Sequence, residues 1–93
     1  MLSPNQIKAI KQTLKKVNAT YIGVFGSYAR GENTHLSDLD LIFDYDKPVS
    51  LLEIIGIEQE LTEKLGIKVD LISKKSVNKY LESEILKDLI ILS

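Results

Sequence analysis

The chain has 93 residues, 44% apolar and 27% charged, with a net charge of −1. That is enough for one domain with a modest core and too little for two, and the charge balance supplies neither a basic footprint for nucleic acid nor a polybasic patch for a membrane. There is no cysteine, which excludes disulfides and thiolate-bound zinc; with no apolar leader and no apolar run near the roughly 20 residues that span a bilayer, a cytoplasmic protein is expected.

Residues 1–93 read as a single domain without repeats or linkers. Ser3-Pro4 is a helix start, with Ser3 as N-cap and Pro4 in the first turn. Ile7, Ile10, Leu14 and Val17 then recur at helical spacing, predicting an amphipathic helix over 4–17 with a lysine-rich outer face. TYIGVF, residues 20–25, is a short strand stopped by Gly26. Residues 27–31 form a turn or one helical turn, and 32–37 a polar loop. DLDLIFD, residues 38–44, is a second strand, followed by a connection containing Pro48. Ser50 and Glu53 match a capping box. The helix they open runs to about Leu65, where Gly66 provides a left-handed cap. IKVDLI, residues 67–72, is a third strand. From about Ser76 the pattern is helical, with Tyr80 and the Leu and Ile positions from 81 to 92 mainly in the core or on a partner surface. The final LIILS fits either more helix or a strand. The fold expected is α/β (α+β): a small mixed sheet of three or four strands with helices packed mainly on one face.

Aspartate is depleted in strands, yet Asp38 and Asp40 lie two apart in the second one. Residues i and i+2 share a face, about 7 Å apart, so the two acids point together while Leu39, Leu41 and Phe43 point to the core. Asp70 repeats the anomaly in the third strand, between Val69 and Leu71. If these strands are neighbours, three carboxylates converge. Hard oxygen ligands in that number suit Mg²⁺ or Mn²⁺, and Mg²⁺ commonly completes its shell with substrate phosphates. Gly26-Ser27, at the end of the first strand, would offer backbone amides and a hydroxyl to such a phosphate. The spacing is neither that of a Walker A loop nor that of a dinucleotide fingerprint.

Gly26-Ser27-Tyr28-Ala29-Arg30-Gly31, then Ser37-Asp38-Leu39-Asp40-Leu41, then Asp70, resemble the signature of the DNA polymerase beta type nucleotidyltransferase superfamily, and within it the minimal nucleotidyltransferases of prokaryotes. The resemblance covers nearly the whole chain. It implies that Asp38, Asp40 and Asp70 are catalytic and bind two Mg²⁺ ions that hold the triphosphate of ATP, with Asp70 also helping to activate an acceptor hydroxyl. Gly26 and Ser27 would seat the terminal phosphates. Arg30 would aid the triphosphate or brace the acidic loop through a bidentate ion pair, the second being the preferred reading. The resemblance further implies a partner, a HEPN-domain toxin, that receives AMP on a hydroxyl, typically of tyrosine, making this chain an antitoxin.

Two other readings stay open: a non-catalytic module that inhibits its partner by covering it, and nucleotidyl transfer to a small molecule. A homodimer also stays open, while neither a membrane nor direct nucleic-acid binding is expected. Asp44 and Asp46 read as solvated ends of the strand, His35 as a surface loop residue, Tyr28 as packing or nucleotide stacking, and Lys74-Lys75 as a solvated loop.

Overall fold

A computed structural model describes residues 2–93. Helix α1 spans Pro4–Leu14 and opens on a full capping box: the Gln6 backbone N–H donates to the Ser3 hydroxyl, and the Ser3 N–H donates to the Gln6 side chain. The expected helix to residue 17 tightens into a 3₁₀ turn over Lys15–Val17. Asn18 ends it in the left-handed region, φ 54°, where a short polar side chain is tolerated. Strand β1 is Ala19–Phe25. Residues Gly26–Arg30 form one short helix, α2, capped by Gly31 at φ 72°. Strand β2 is Leu39–Tyr45. Helix α3, Leu51–Leu65, has the Ser50/Glu53 capping box and the left-handed Gly66 cap read from the sequence.

Strand β3 begins later than expected, at Val69, and ends at Ser73. The left-handed Gly66 turn leaves Ile67 and Lys68 to carry the chain back to the sheet, and the first tie is the Leu39 N–H donating to the Lys68 carbonyl at 2.8 Å. A 3₁₀ turn over Lys74–Ser76 then delays the last helix, α4, to Lys79–Asp88, with Asn78 as its N-cap. The C-terminal ambiguity resolves as a strand: β4, Ile90–Ile91, pairs with β1.

The sheet order is β3-β2-β1-β4. The pairs β1–β2 and β1–β4 are antiparallel, and β2–β3 is parallel across the α3 crossover. Ile22, Val24, Leu39, Leu41, Phe43, Val69 and Leu71 alternate onto one face and pack with Ile10 and Leu14 of α1 and Ile57 and Leu61 of α3. Helix α4 lies on the other face. A Cβ on Gly23 would run into the Leu89 side chain and press on Ile42, so Gly23 is what lets the end of α4 settle onto β1. Of the C-terminal apolar positions expected in the core, only Ile85 is fully buried; Tyr80, Leu86 and Ile91 are exposed. Ten residues of helix against a corner of the sheet have one inward stripe, and the remaining apolar side chains stay outside it.

The two sheet edges differ. The outward N–H groups of β3 are taken up by α3: Val69 N–H donates to the Thr62 hydroxyl at 3.0 Å and Leu71 N–H to a Glu58 carboxylate oxygen at 2.8 Å. This covers an edge that would otherwise offer a template for another strand. Among the described residues no helix is long and apolar enough to cross a membrane.

Candidate active site

The parallel register sets Asp40 opposite Asp70, while the antiparallel register sets Asp40 opposite Phe25. Asp40 thus stands at the middle of the sheet, between the start of β3 and the end of β1. Alternation turns Asp40 and Asp70 away from the core that holds Leu39, Leu41, Val69 and Leu71. Asp38 immediately precedes β2, and its carboxylate lies 3.8 Å from the Lys68 ammonium. The Asp38 charge bears on the Asp70 carboxyl. The expected neighbourhood of β2 and β3 therefore exists, and it brings all three acids to one end of one face.

The electrostatics follow from that crowding. Burial pushes the Asp40 carboxyl above the usual carboxylate range, and the charges of Asp70 and Asp38 push the same way, against a pull from Arg30. Asp70 is likewise raised, first by burial and then by Asp38. Among the described residues no three His, Cys, Asp or Glu side chains are already drawn together as a finished metal cage. Like charges without a cation between them hold apart. The donor set fits a hard divalent cation: three carboxylates, two of them partly buried and destabilised in their charged form, gain from a positive charge placed among them.

Gly26 closes the site from β1. Its φ is 72°, and a Cβ there would fall inside the van der Waals radius of an Asp40 carboxylate oxygen. The turn is glycine for two reasons at once, its left-handed backbone and the acid lying against it. Ser27 follows in the first turn of α2, and its carbonyl accepts from the Glu32 N–H at 2.9 Å. Tyr28 packs against the main core. Arg30 takes the bracing geometry: Nε donates to Glu32 at 2.7 Å and Nη1 to Asp88 at 2.9 Å. It links α2, the polar loop and α4, and reaches the acidic site through its charge on Asp40 rather than by contact.

Asp44 corrects the reading of a solvated strand end. Its carboxylate pairs with Lys75 and accepts from the Tyr45 N–H, and the hydrogen bond from Lys75 heads the effects that hold its carboxyl below the usual range. Lys75 also lies over the Tyr45 ring and Lys74 over the Tyr21 ring, so neither is a free loop cation. His35 is exposed in the loop, as expected.

A model of the nucleotidyltransferase domain family matches residues 5–92. The chain belongs to that family. This nucleotidyltransferase is 47% identical over 81 residues to a candidate protein adenylyltransferase of Methanocaldococcus jannaschii, covering 86% of this chain and 83% of the relative. It is 35% identical over 95 residues to the protein adenylyltransferase MntA of Thermococcus cleftensis, covering 97% and 96%. Among solved structures, a candidate minimal nucleotidyltransferase superposes with a TM-score of 0.81 at 30% identity, over 92% of this chain and 88% of the other. A toxin–antitoxin complex crystallised with AMP-PNP contains the same fold, with a TM-score of 0.86 at 23% identity over 99% of this chain and 73% of that one. The chain is thus an enzyme of the nucleotidyltransferase class, on the small mixed α/β fold of the minimal members.

Sequence reasoning missed Glu32 and Asp88 as the partners of Arg30, and Glu58 and Thr62 as covers of the β3 edge. An Arg two residues before a Glu was a visible signal for the first pair. The contacts with Asp88, 58 residues away, and those from α3 to β3 had no local signal.

Proposed function

We propose that this nucleotidyltransferase transfers AMP from ATP to a hydroxyl of a partner protein, in a Mg²⁺-dependent reaction. The observation that carries the reading is the meeting of Asp38, Asp40 and Asp70 on one face of β2 and β3, against the glycine turn at Gly26. The three acids would hold the cations. When bound, the cations would polarise the triphosphate and offset charge developing on the attacking and leaving oxygens.

Gly26 and Ser27 would seat the terminal phosphates, and Arg30 would fix α2 under them through Glu32 and Asp88. The acceptor oxygen forms its bond to the α-phosphorus as the bond from that phosphorus to pyrophosphate breaks. The hydroxyl proton passes to the Asp70 carboxylate, leaving an AMP ester and pyrophosphate.

The small chain has little surface with which to select a small acceptor, which favours an acceptor delivered by a protein. Relatives named protein adenylyltransferase support that choice. A fold neighbour described as an antitoxin in complex with a tri-AMPylated HEPN toxin suggests the partner's kind. The reading is a cytoplasmic antitoxin, with residues 1–93 acting as one domain, that modifies a HEPN-type toxin on tyrosine.

The test is intact-mass spectrometry of a HEPN-type toxin that forms a complex with this chain, incubated with the enzyme, ATP and Mg²⁺. A gain of one or more AMP masses is expected with the wild type and none with Asp38→Asn/Asp40→Asn. A stable, inhibited complex that binds ATP without any mass gain would sink the enzymatic reading and leave a binding module.

A further inference from the structure

A sizeable groove lies away from the acidic site. It has a volume of about 600 Å³ and runs between α1 and the first half of β1, with Ile7, Ala19 and Ile22 among its lining and Lys8, Lys11 and Lys15 along it. Lys8 and Lys11 stand on α1 and Lys15 opens the 3₁₀ turn that ends it, at i, i+3 and i+7, and all three line this groove. Five other lysines are ion-paired: Lys16 and Lys64 with Glu60, Lys68 with Asp38, Lys75 with Asp44 and Lys87 with Glu84. Among the described residues Lys8, Lys11 and Lys15 have no ion-pair partner. Lys47, Lys74 and Lys79 are also without one, but they lie apart from this groove, which alone sets three such lysines along an apolar floor.

Ile7 also lines a second, smaller hollow of about 150 Å³, which continues past Val24 to Tyr28. Tyr28 belongs to α2, the helix that Gly26 and Ser27 open. The apolar surface of the groove thus continues along the core side of β1 as far as α2.

We propose that this groove docks an acidic amphipathic helix of the partner protein that brings the acceptor hydroxyl. The inference rests on the reading that the acceptor is carried by a protein. A helix laid in the groove sets its apolar stripe on Ile7 and Ala19 and its flanking carboxylates against the lysine row. A nucleic-acid strand fits less well: the floor is aliphatic rather than an aromatic stacking platform, and the chain as a whole does not attract a polyanion. Docking here holds the body of the partner away from the carboxylates, on the α1 side of the sheet, and leaves the acidic face open to its acceptor segment.

The probe is a fluorescein-labelled synthetic helix of about 15 residues, with leucines on one stripe and glutamates on both flanks. Its binding to the whole protein is followed by anisotropy and by backbone amide shifts. The controls are the same helix with lysine for glutamate and a single-stranded RNA. The glutamate helix should bind, with shifts centred on Ile7, Ala19 and Ile22, and should weaken with salt. Lys8→Gln/Lys11→Gln/Lys15→Gln should weaken it about tenfold, as three screened charge pairs allow. Lys8→Gln/Lys15→Gln, which leaves the less exposed Lys11 in place, should give an intermediate loss. Absence of binding, binding indifferent to these substitutions, shifts centred elsewhere, or displacement by the RNA would overturn the proposal. None of these readouts involves AMP transfer, so failure of the docking surface and failure of the transfer reaction are seen separately.

Discussion

Gly26→Ala separates two reasons for one glycine. The backbone there sits at φ 72°, which costs a side-chain-bearing residue about 1–2 kcal/mol. Gly31 has the same φ of 72° but nothing within 4 Å of where a Cβ would be. Gly31→Ala therefore measures the backbone cost alone. At Gly26 the added methyl meets a carboxylate oxygen, the far end of the Asp40 side chain. The collision is relieved by turning that side chain off its rotamer, at about 0.5–1.5 kcal/mol. Gly26→Ala should then unfold no more than about 1.5 kcal/mol below Gly31→Ala, each kcal/mol being about 4–8 °C of Tm at this size. Activity should diverge far more. A catalytic acid displaced by about 1 Å costs on the order of a hundredfold. The assays are thermal unfolding followed by circular dichroism, and transfer of labelled AMP to the partner. If Gly26→Ala transfers AMP like Gly31→Ala, the close approach of Gly26 to Asp40 has no part in the chemistry and the reasoning fails.

Mg²⁺ should raise the Tm of the wild type, by the equivalent of about 2.7 kcal/mol at a hundredfold excess over Kd, and should leave Asp38→Asn/Asp40→Asn unmoved in the same scan. Asp70 has its folded-state carboxyl raised, chiefly by burial. Its charged form is thus the costly one, and stability falls as pH rises through that raised value. Asp70→Asn should accordingly melt higher than the wild type at pH 7 without divalent cation; a lower melting point would contradict the electrostatics. Asp44 is the opposite case, held low by Lys75. Its contribution is complete above the unfolded carboxyl value of about 4 and is lost as pH falls through the depressed folded value. The Tm gap between wild type and Asp44→Asn should therefore be open at pH 7 and close in acid. Thr62→Val leaves the buried Val69 N–H without its acceptor and should cost about 1–3 kcal/mol in urea denaturation; no loss would show that water serves that edge as well.

Features fixed by neighbouring residues were legible in the sequence. Ser50, Glu53 and Gly66 bracket α3 because caps act within one turn of chain. The alternation of Asp40 with Leu39 and Leu41 told which face the acids take, because strand parity is local. What could not be read depends on distant partners. Strand β4 exists because Ile90 and Ile91 meet Val24 and Gly23, and five apolar letters carry no sign of that. The same holds for α4, whose position on the acidic face requires the missing Cβ of Gly23. At the candidate site, the convergence of Asp38, Asp40 and Asp70 was legible once β2 and β3 were taken as neighbours. The state of Arg30 was only half legible: bracing was foreseen, but its second partner sits on α4.

The three carboxylates all come from one unit, β2, α3 and β3, joined by a parallel pairing. Parallel strands need a long crossover to close before any of their hydrogen bonds form, so such contacts come late in folding. The acids on β2 and the acid on β3 are strangers until that closure. A cation held between them then stabilises the native state and hardly touches the barrier from the unfolded side. Such a ligand lengthens the lifetime of the folded enzyme without making it fold faster.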